Sequence, residues 1–132
     1  MATLVRDGID FHYREAGEGL PFVFQHGLGG DTNQIYDLFV PPSGVRLITL
    51  DCRAHGGTHP VGDVEKLNFD ALADDVLALM DHLQLGKVVI GGISMGAGLA
   101  LNLAMRYPQR VAGLVLSRPA WLDRSLPPSM LV

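Results

Sequence analysis

The sequence has a single cysteine, Cys52, among its 132 residues, which excludes an internal disulfide. One thiol and no disulfide framework fit a reducing cytoplasm, and the protein is expected there. Long apolar runs are missing too. None reaches the roughly 20 residues that a membrane-spanning helix needs. The start, Met1-Ala2-Thr3-Leu4-Val5-Arg6-Asp7, has no charged segment followed by an apolar core, so it does not read as a secretory signal. Runs of basic charge are also lacking. Ten Lys and Arg stand against 14 Asp and Glu, for a formal net charge of -4, and the basic residues are scattered. Neither nucleic acid nor an anionic membrane would be drawn to such a surface, so neither is expected as a partner. There is no internal repeat and no low-complexity tract. What is there is 48% apolar and 18% charged, the composition of a globular chain rather than a disordered one. The length suits one domain, able to bury roughly two-thirds of its unfolded surface.

Two kinds of periodicity follow one another. Residues 9–14 alternate as a half-exposed strand, preceded by a strand over 3–6, with Asp7-Gly8 as the turn of an antiparallel hairpin. Short continuous apolar runs come next, at 21–25, 45–50, 88–90 and 113–116. Runs of that kind suit strands covered on both faces, as in a parallel sheet. Helical patterns separate them. Phe69, Leu72, Ala73, Val76, Met80 and Leu83 form one apolar stripe, which predicts a helix over 69–85. Asn68 is placed to cap its start, Asp70 favours the positive end of its dipole, and Gly86 is placed to end it. A second helix is expected over 95–107, closed by Pro108, and a short one between Asp31 or Thr32 and Pro41. A hairpin followed by alternating strands and helices predicts an α/β fold. Its sheet is mostly parallel, with an N-terminal antiparallel hairpin and flanking helices.

Three glycine-containing segments stand where such strands end. Gly92-Ile93-Ser94-Met95-Gly96 lies between an apolar strand and a helix. A turn that tight forces the serine into a strained backbone, and side chains two positions to either side would meet the crossing chain. Gly92 and Gly96 meet that requirement. Ala97, Gly98 and Ala100 let the helix lie close to the strand. The segment has no lysine, which sets aside a phosphate-binding loop. His26-Gly27-Leu28-Gly29-Gly30 follows the 21–25 strand, and alone it reads as a glycine-rich turn. Beside the serine turn, its N–H groups become candidates to meet a developing oxyanion. Asp51-Cys52-Arg53-Ala54-His55-Gly56-Gly57 follows the 45–50 strand. There Asp51 and Arg53 are placed to pair and pin the loop, a structural role.

In this order the three segments resemble the N-terminal half of the α/β-hydrolase fold superfamily, from the first hairpin to about Arg118. Its His-Gly motif, Asp-x-Arg-x-x-Gly loop and Gly-x-Ser-x-Gly elbow follow the third, fourth and fifth strands. The resemblance implies an incomplete α/β-hydrolase core over residues 1–118, with 119–132, including Trp121 and Pro127-Pro128, leading into a cap or connecting segment. It implies a serine hydrolase acting on a small ester-like substrate through an acyl-enzyme on Ser94. The oxyanion would be held by the backbone N–H groups of Leu28 and Met95, with His26, Gly27, Gly92 and Gly96 as structural support. No metal or other cofactor is called for. Serine at this position disfavours haloalkane dehalogenases and epoxide hydrolases, which carry aspartate there. Esterases, lipases, lactonases, carbon–carbon bond hydrolases and perhydrolases remain.

Serine needs a base, and the base needs an orienting group. By the resemblance, both lie beyond the sixth strand. Where some members carry the acid, this sequence has Arg118, and nothing assigns that role to Asp123. Of five histidines, His12 and His82 read as surface or packing residues and His26 belongs to the loop. His55 and His59, at the correct edge of the sheet, are the candidate surrogate bases. A core stopped here would leave an open apolar edge at its sixth strand. The expectation is a fragment or truncated product that self-associates or is complemented through that edge. The competing reading is a non-catalytic hydrolase-like module that binds a ligand or partner.

Overall fold

The computed structural model describes residues 2–38 and 40–119. The segment expected to lead into a cap lies, from residue 120 onward and with Trp121, Asp123 and Pro127-Pro128, outside the described residues.

The chain opens with β1 (Ala2–Arg6) and β2 (Ile9–Ala16), paired antiparallel with Arg6 opposite Ile9. Asp7 and Gly8 make the turn at φ 54° and 72°. Two positive φ angles are what a two-residue hairpin loop needs to match the twist of its strands, so the Asp-Gly pair follows from the geometry. Ile9, Phe11 and Tyr13 of β2 face the core, and the residues between them face outward, as the alternation predicts.

The chain continues through β3 (Leu20–Gln25), α1 (Thr32–Leu38), β4 (Val45–Leu50), α2 (Phe69–His82), β5 (Val88–Ile93), α3 (Met95–Arg106) and β6 (Val111–Ser117). These form one six-stranded sheet in the order β1-β2-β4-β3-β5-β6. The β2–β4 pair is antiparallel, and β4–β3, β3–β5 and β5–β6 are parallel. The α/β class, the N-terminal hairpin and the mostly parallel remainder stand as the sequence predicts.

The central strands are apolar on both faces because helices cover both. Val23, Ile48, Leu50 and Ile90 pack with Leu72, Val76, Leu79 and Met80 of α2 and Leu99 and Leu103 of α3. Phe24 and Leu47, pointing the other way, pack with Ile35 of α1. Helix α2 starts as expected, with the Asn68 side chain accepting from the Ala71 N–H at 2.9 Å. It stops three residues earlier than its stripe suggests. Gln84, at φ 57°, takes the left-handed position, while the Gln84 and Leu85 N–H groups close onto the Asp81 and Met80 carbonyls at 3.0 and 2.9 Å. That paired closure ends the helix before Gly86 is reached.

Candidate functional site

In a parallel sheet the crevice beyond the C-terminal strand ends is where loops from neighbouring strands converge. Here β3 lies between β4 and β5, so the loops after these three strands share one edge. Ser94 follows β5 with φ 55° and ψ -114° and begins α3. Its N–H donates to the Ser117 carbonyl at the end of β6 (2.9 Å), and its carbonyl accepts from the Gly98 N–H (3.1 Å). A Cβ on Gly92 would run into the backbone of Gly96, and one on Gly96 into the carbonyls of Gln25 and His26. The elbow therefore closes only with glycine at both positions, and Gly96 brings α3 directly against the end of β3.

The His26–Gly30 loop lies against the elbow. A Cβ built on Gly27 would sit 3.4 Å from the Ser94 Cβ. The loop is folded on itself by the Gly30 N–H on the Gly27 carbonyl (3.0 Å), and Gly29 adopts φ 77°. Gln34 of α1 accepts from the Gly27 N–H at 2.8 Å. The Leu28 side chain is 80% exposed. Among the described residues, the N–H groups of Leu28 and Met95 and the hydroxyl of Ser94 have no hydrogen-bond partner.

The third loop braces the second. Gln25 extends the β3–β4 ladder with its side chain, donating to the Leu50 carbonyl (2.9 Å) and accepting from the Leu50 N–H (2.8 Å). His26 is fully buried. Its Nδ1 faces the Gly27 carbonyl at 2.8 Å, and its Nε2 accepts from the Cys52 N–H at 3.0 Å. Burial holds this imidazole below the usual histidine value. Burial also pushes the Cys52 thiol up to about 12. Its Sγ lies under the Gln25 carboxamide, so it is an uncharged packing group.

The expected Asp51–Arg53 pair is replaced by two separate arrangements. The Asp51 carboxylate accepts from the Thr32 and Gly57 N–H groups at 2.8 and 2.9 Å, joining the start of α1 to the loop after β4. Arg53, 1% exposed, turns away from Asp51. It makes a two-point contact with Asp75 of α2 (2.6 and 2.9 Å) and a third bond to Asp7 in the hairpin turn (2.7 Å). These carboxylates hold the guanidinium firmly charged, and Arg53 in turn holds the Asp7 carboxyl below the ordinary aspartate value. Neither Asp75 nor Gln34 stands out in a linear reading. Asp75 did leave a signal, as a carboxylate beside Leu72, Val76 and Leu79 on the buried stripe of α2.

Neither surrogate base meets Ser94. His55 spends Nδ1 on the Arg53 carbonyl (2.7 Å) and Nε2 on the Gly29 N–H (3.0 Å). His59 pairs with Asp10 of β2, three strand spacings or about 14 Å across the sheet from β5. His12 packs edge-on to His59, and His82 edge-on to Tyr13. Among the described residues there is no group of three or more His, Cys, Asp or Glu able to hold a metal ion, and no helix long and apolar enough to cross a membrane.

The sequence matches the family described as alpha/beta hydrolase fold over residues 21–131. It is 40% identical over 111 residues to the dihydrolipoyllysine-residue acetyltransferase component of the acetoin cleaving system of Pseudomonas putida, covering 82% of this chain and 29% of that one. It is 37% identical to a non-heme chloroperoxidase of Kitasatospora aureofaciens, covering 96% of this chain and 44% of that one. Among solved structures, an N-acyl homoserine lactone degrading enzyme superposes with a TM-score of 0.79 at 30% identity, over 89% of this chain and 45% of that one. The chain thus spans less than half the length of each of these relatives.

Proposed function

Because the chain belongs to the alpha/beta hydrolase fold family, we propose that it carries the nucleophile and oxyanion site of a serine hydrolase cleaving small ester-like substrates. Ser94 attacks the carbonyl carbon and the leaving group departs with a proton. Water then cleaves the acyl-enzyme and releases the acid. The Leu28 and Met95 N–H groups receive the oxyanion, and His26, Gly27, Gly92 and Gly96 hold the two turns in place. The observation that carries this reading is one juxtaposition. A serine with a strained backbone lies against a loop whose exposed residue has an unspent N–H, and a second unspent N–H follows the serine itself. Fixed donors of that kind stabilise charge that appears only as the bond is attacked. The enzyme with which this chain shares its fold over 45% of that protein's length degrades an N-acyl homoserine lactone, which is in keeping with ester-like carbonyls here.

The base and its orienting acid come, in this reading, from outside residues 2–119. Among the described residues the outer edge of β6 is unpaired, and there the complementary part of the core, or a second copy, would pair. Leu114, Val115 and Leu116 of that edge strand are 40%, 46% and 37% exposed. A single cysteine with no disulfide is compatible with a cytoplasmic location.

A second reading, a hydrolase-like module that binds a ligand or partner without turning it over, is favoured by the unpartnered Ser94 hydroxyl among the described residues. A fluorophosphonate probe followed by mass spectrometry separates the two. Labelling of Ser94 that disappears in Ser94→Ala is expected. An unlabelled Ser94 in the folded chain would sink the claim that this chain is itself an active hydrolase.

A further inference from the structure

A neutral imidazole has one donor and one acceptor nitrogen, and its neighbours reveal which is which. In His26, Nδ1 faces the Gly27 carbonyl and must donate, while Nε2 receives the Cys52 N–H and must accept. In His55, Nδ1 faces the Arg53 carbonyl and must donate, while Nε2 receives the Gly29 N–H and must accept. Both rings are therefore the same neutral tautomer. Each reaches across to the other's loop. His26, from the loop after β3, takes a backbone N–H of the loop after β4. His55, from the loop after β4, takes a backbone N–H of the loop after β3. The two rings lie 5.1 Å apart, tilted by 47°.

We propose that His26 and His55 form a reciprocal clamp that works only while both are neutral, and that His55 is a positioning residue for the Leu28 N–H. This rests on the reading of Leu28 as an oxyanion donor. Gly29 adjoins Leu28, so the bond from Gly29 to His55 and the bond from Gly27 to Gln34 fix the peptide units on either side of it. Protonating His55 turns its Nε2 into a second donor facing the Gly29 N–H. That bond is lost, and a cation sits beside the buried ring of His26.

The Asp51 and Asp31 carboxylates favour a charge on His26, but its burial outweighs them. The Asp51 carboxylate is held by the Thr32 and Gly57 N–H groups, and Asp31 accepts from the Asn33 N–H. The Arg53 guanidinium is turned toward Asp75 and Asp7, and the Cys52 thiol stays uncharged. The loop is thus released on acidification and held at neutral pH.

The test uses the 15N-labelled 132-residue chain with two variants. His55→Gln keeps an acceptor that cannot take a proton, and His55→Leu has none. Imidazole 15N shifts should report protonated Nδ1 and bare Nε2 on both histidines at neutral pH. Exchange of the Gly29 amide, corrected for intrinsic chemistry, should be about tenfold faster in His55→Leu. In the wild type it should accelerate on acidification, and in His55→Gln it should stay flat. The maximal rate of Ser94 phosphonylation at saturating fluorophosphonate should fall about tenfold in His55→Leu and recover in His55→Gln, with half-saturation little changed. Wild-type protection of Gly29 in His55→Leu, or a wild-type pH profile in His55→Gln, would overturn the clamp. If His55→Leu does not fold, the wild type and His55→Gln decide by their pH profiles. If no form reacts with the probe, the 132-residue chain is not itself an active hydrolase, and the amide and imidazole signals still decide the clamp by themselves.

Discussion

Ser94 holds a backbone that residues with a Cβ adopt only under constraint, at φ 55° and ψ -114°. Such conformations cost of order 1–3 kcal/mol, and glycine relieves most of that while adding some unfolded-chain entropy. Ser94→Gly is therefore expected to stabilise the chain by about 1 kcal/mol in urea unfolding, while abolishing fluorophosphonate labelling. A loss of stability would show that the elbow stores no strain. The elbow itself was legible in the sequence because a serine flanked by small residues between an apolar strand and a helix is a local pattern. The clash that forces glycine arises within the turn at position 92, and against the end of β3 at position 96. The partners of Arg53 were not legible. Asp51, two residues away, is the obvious carboxylate, but backbone N–H groups of Thr32 and Gly57 claim it, and a backbone donor leaves no trace in residue identity. Asp75, which Arg53 does meet, is 22 positions along the chain. The same blindness hid the work of His55, since both of its partners are main-chain atoms.

At the level of elements, strands and helices were readable wherever one short period governs several residues. The Asp-Gly turn, the stripe of α2 and the cap at Asn68 are of this kind. The end of α2 was not. A glycine stood in view at 86, yet the chain turns at Gln84, because Leu85 must fold back to place its N–H on the Met80 carbonyl. Gln84 thus occupies a left-handed position that glycine would fill without a Cβ clash. Gln84→Gly is expected to raise stability by about 0.5–1 kcal/mol, read as a higher urea midpoint at unchanged slope. A lower midpoint would mean that the Gln84 side chain contributes more than its backbone loses.

Across the whole molecule, a buried charge cluster ties together parts that the sheet alone leaves apart. Arg53 after β4, Asp75 of α2, and Arg6 and Asp7 of the hairpin meet in one network, with Arg6 3.0 Å from Asp75. Removing one member of a buried pair leaves the other charged and unsolvated, typically a loss of 3–5 kcal/mol. Arg53→Ala should fall near the lower end, about 3 kcal/mol in urea unfolding, because Arg6 still reaches Asp75. A loss below about 1 kcal/mol would show that water or Arg6 replaces the guanidinium. The sheet order was not legible in the sequence, since no local pattern says that β3 inserts between β4 and β5. A different tie runs through the other end of the sheet. The Ser94 N–H is held by Ser117, the last residue of a strand with a free edge. The serine thus has its footing on a strand that is at the sheet edge among the described residues, and anything that pairs with that edge steadies the nucleophile from behind without touching it.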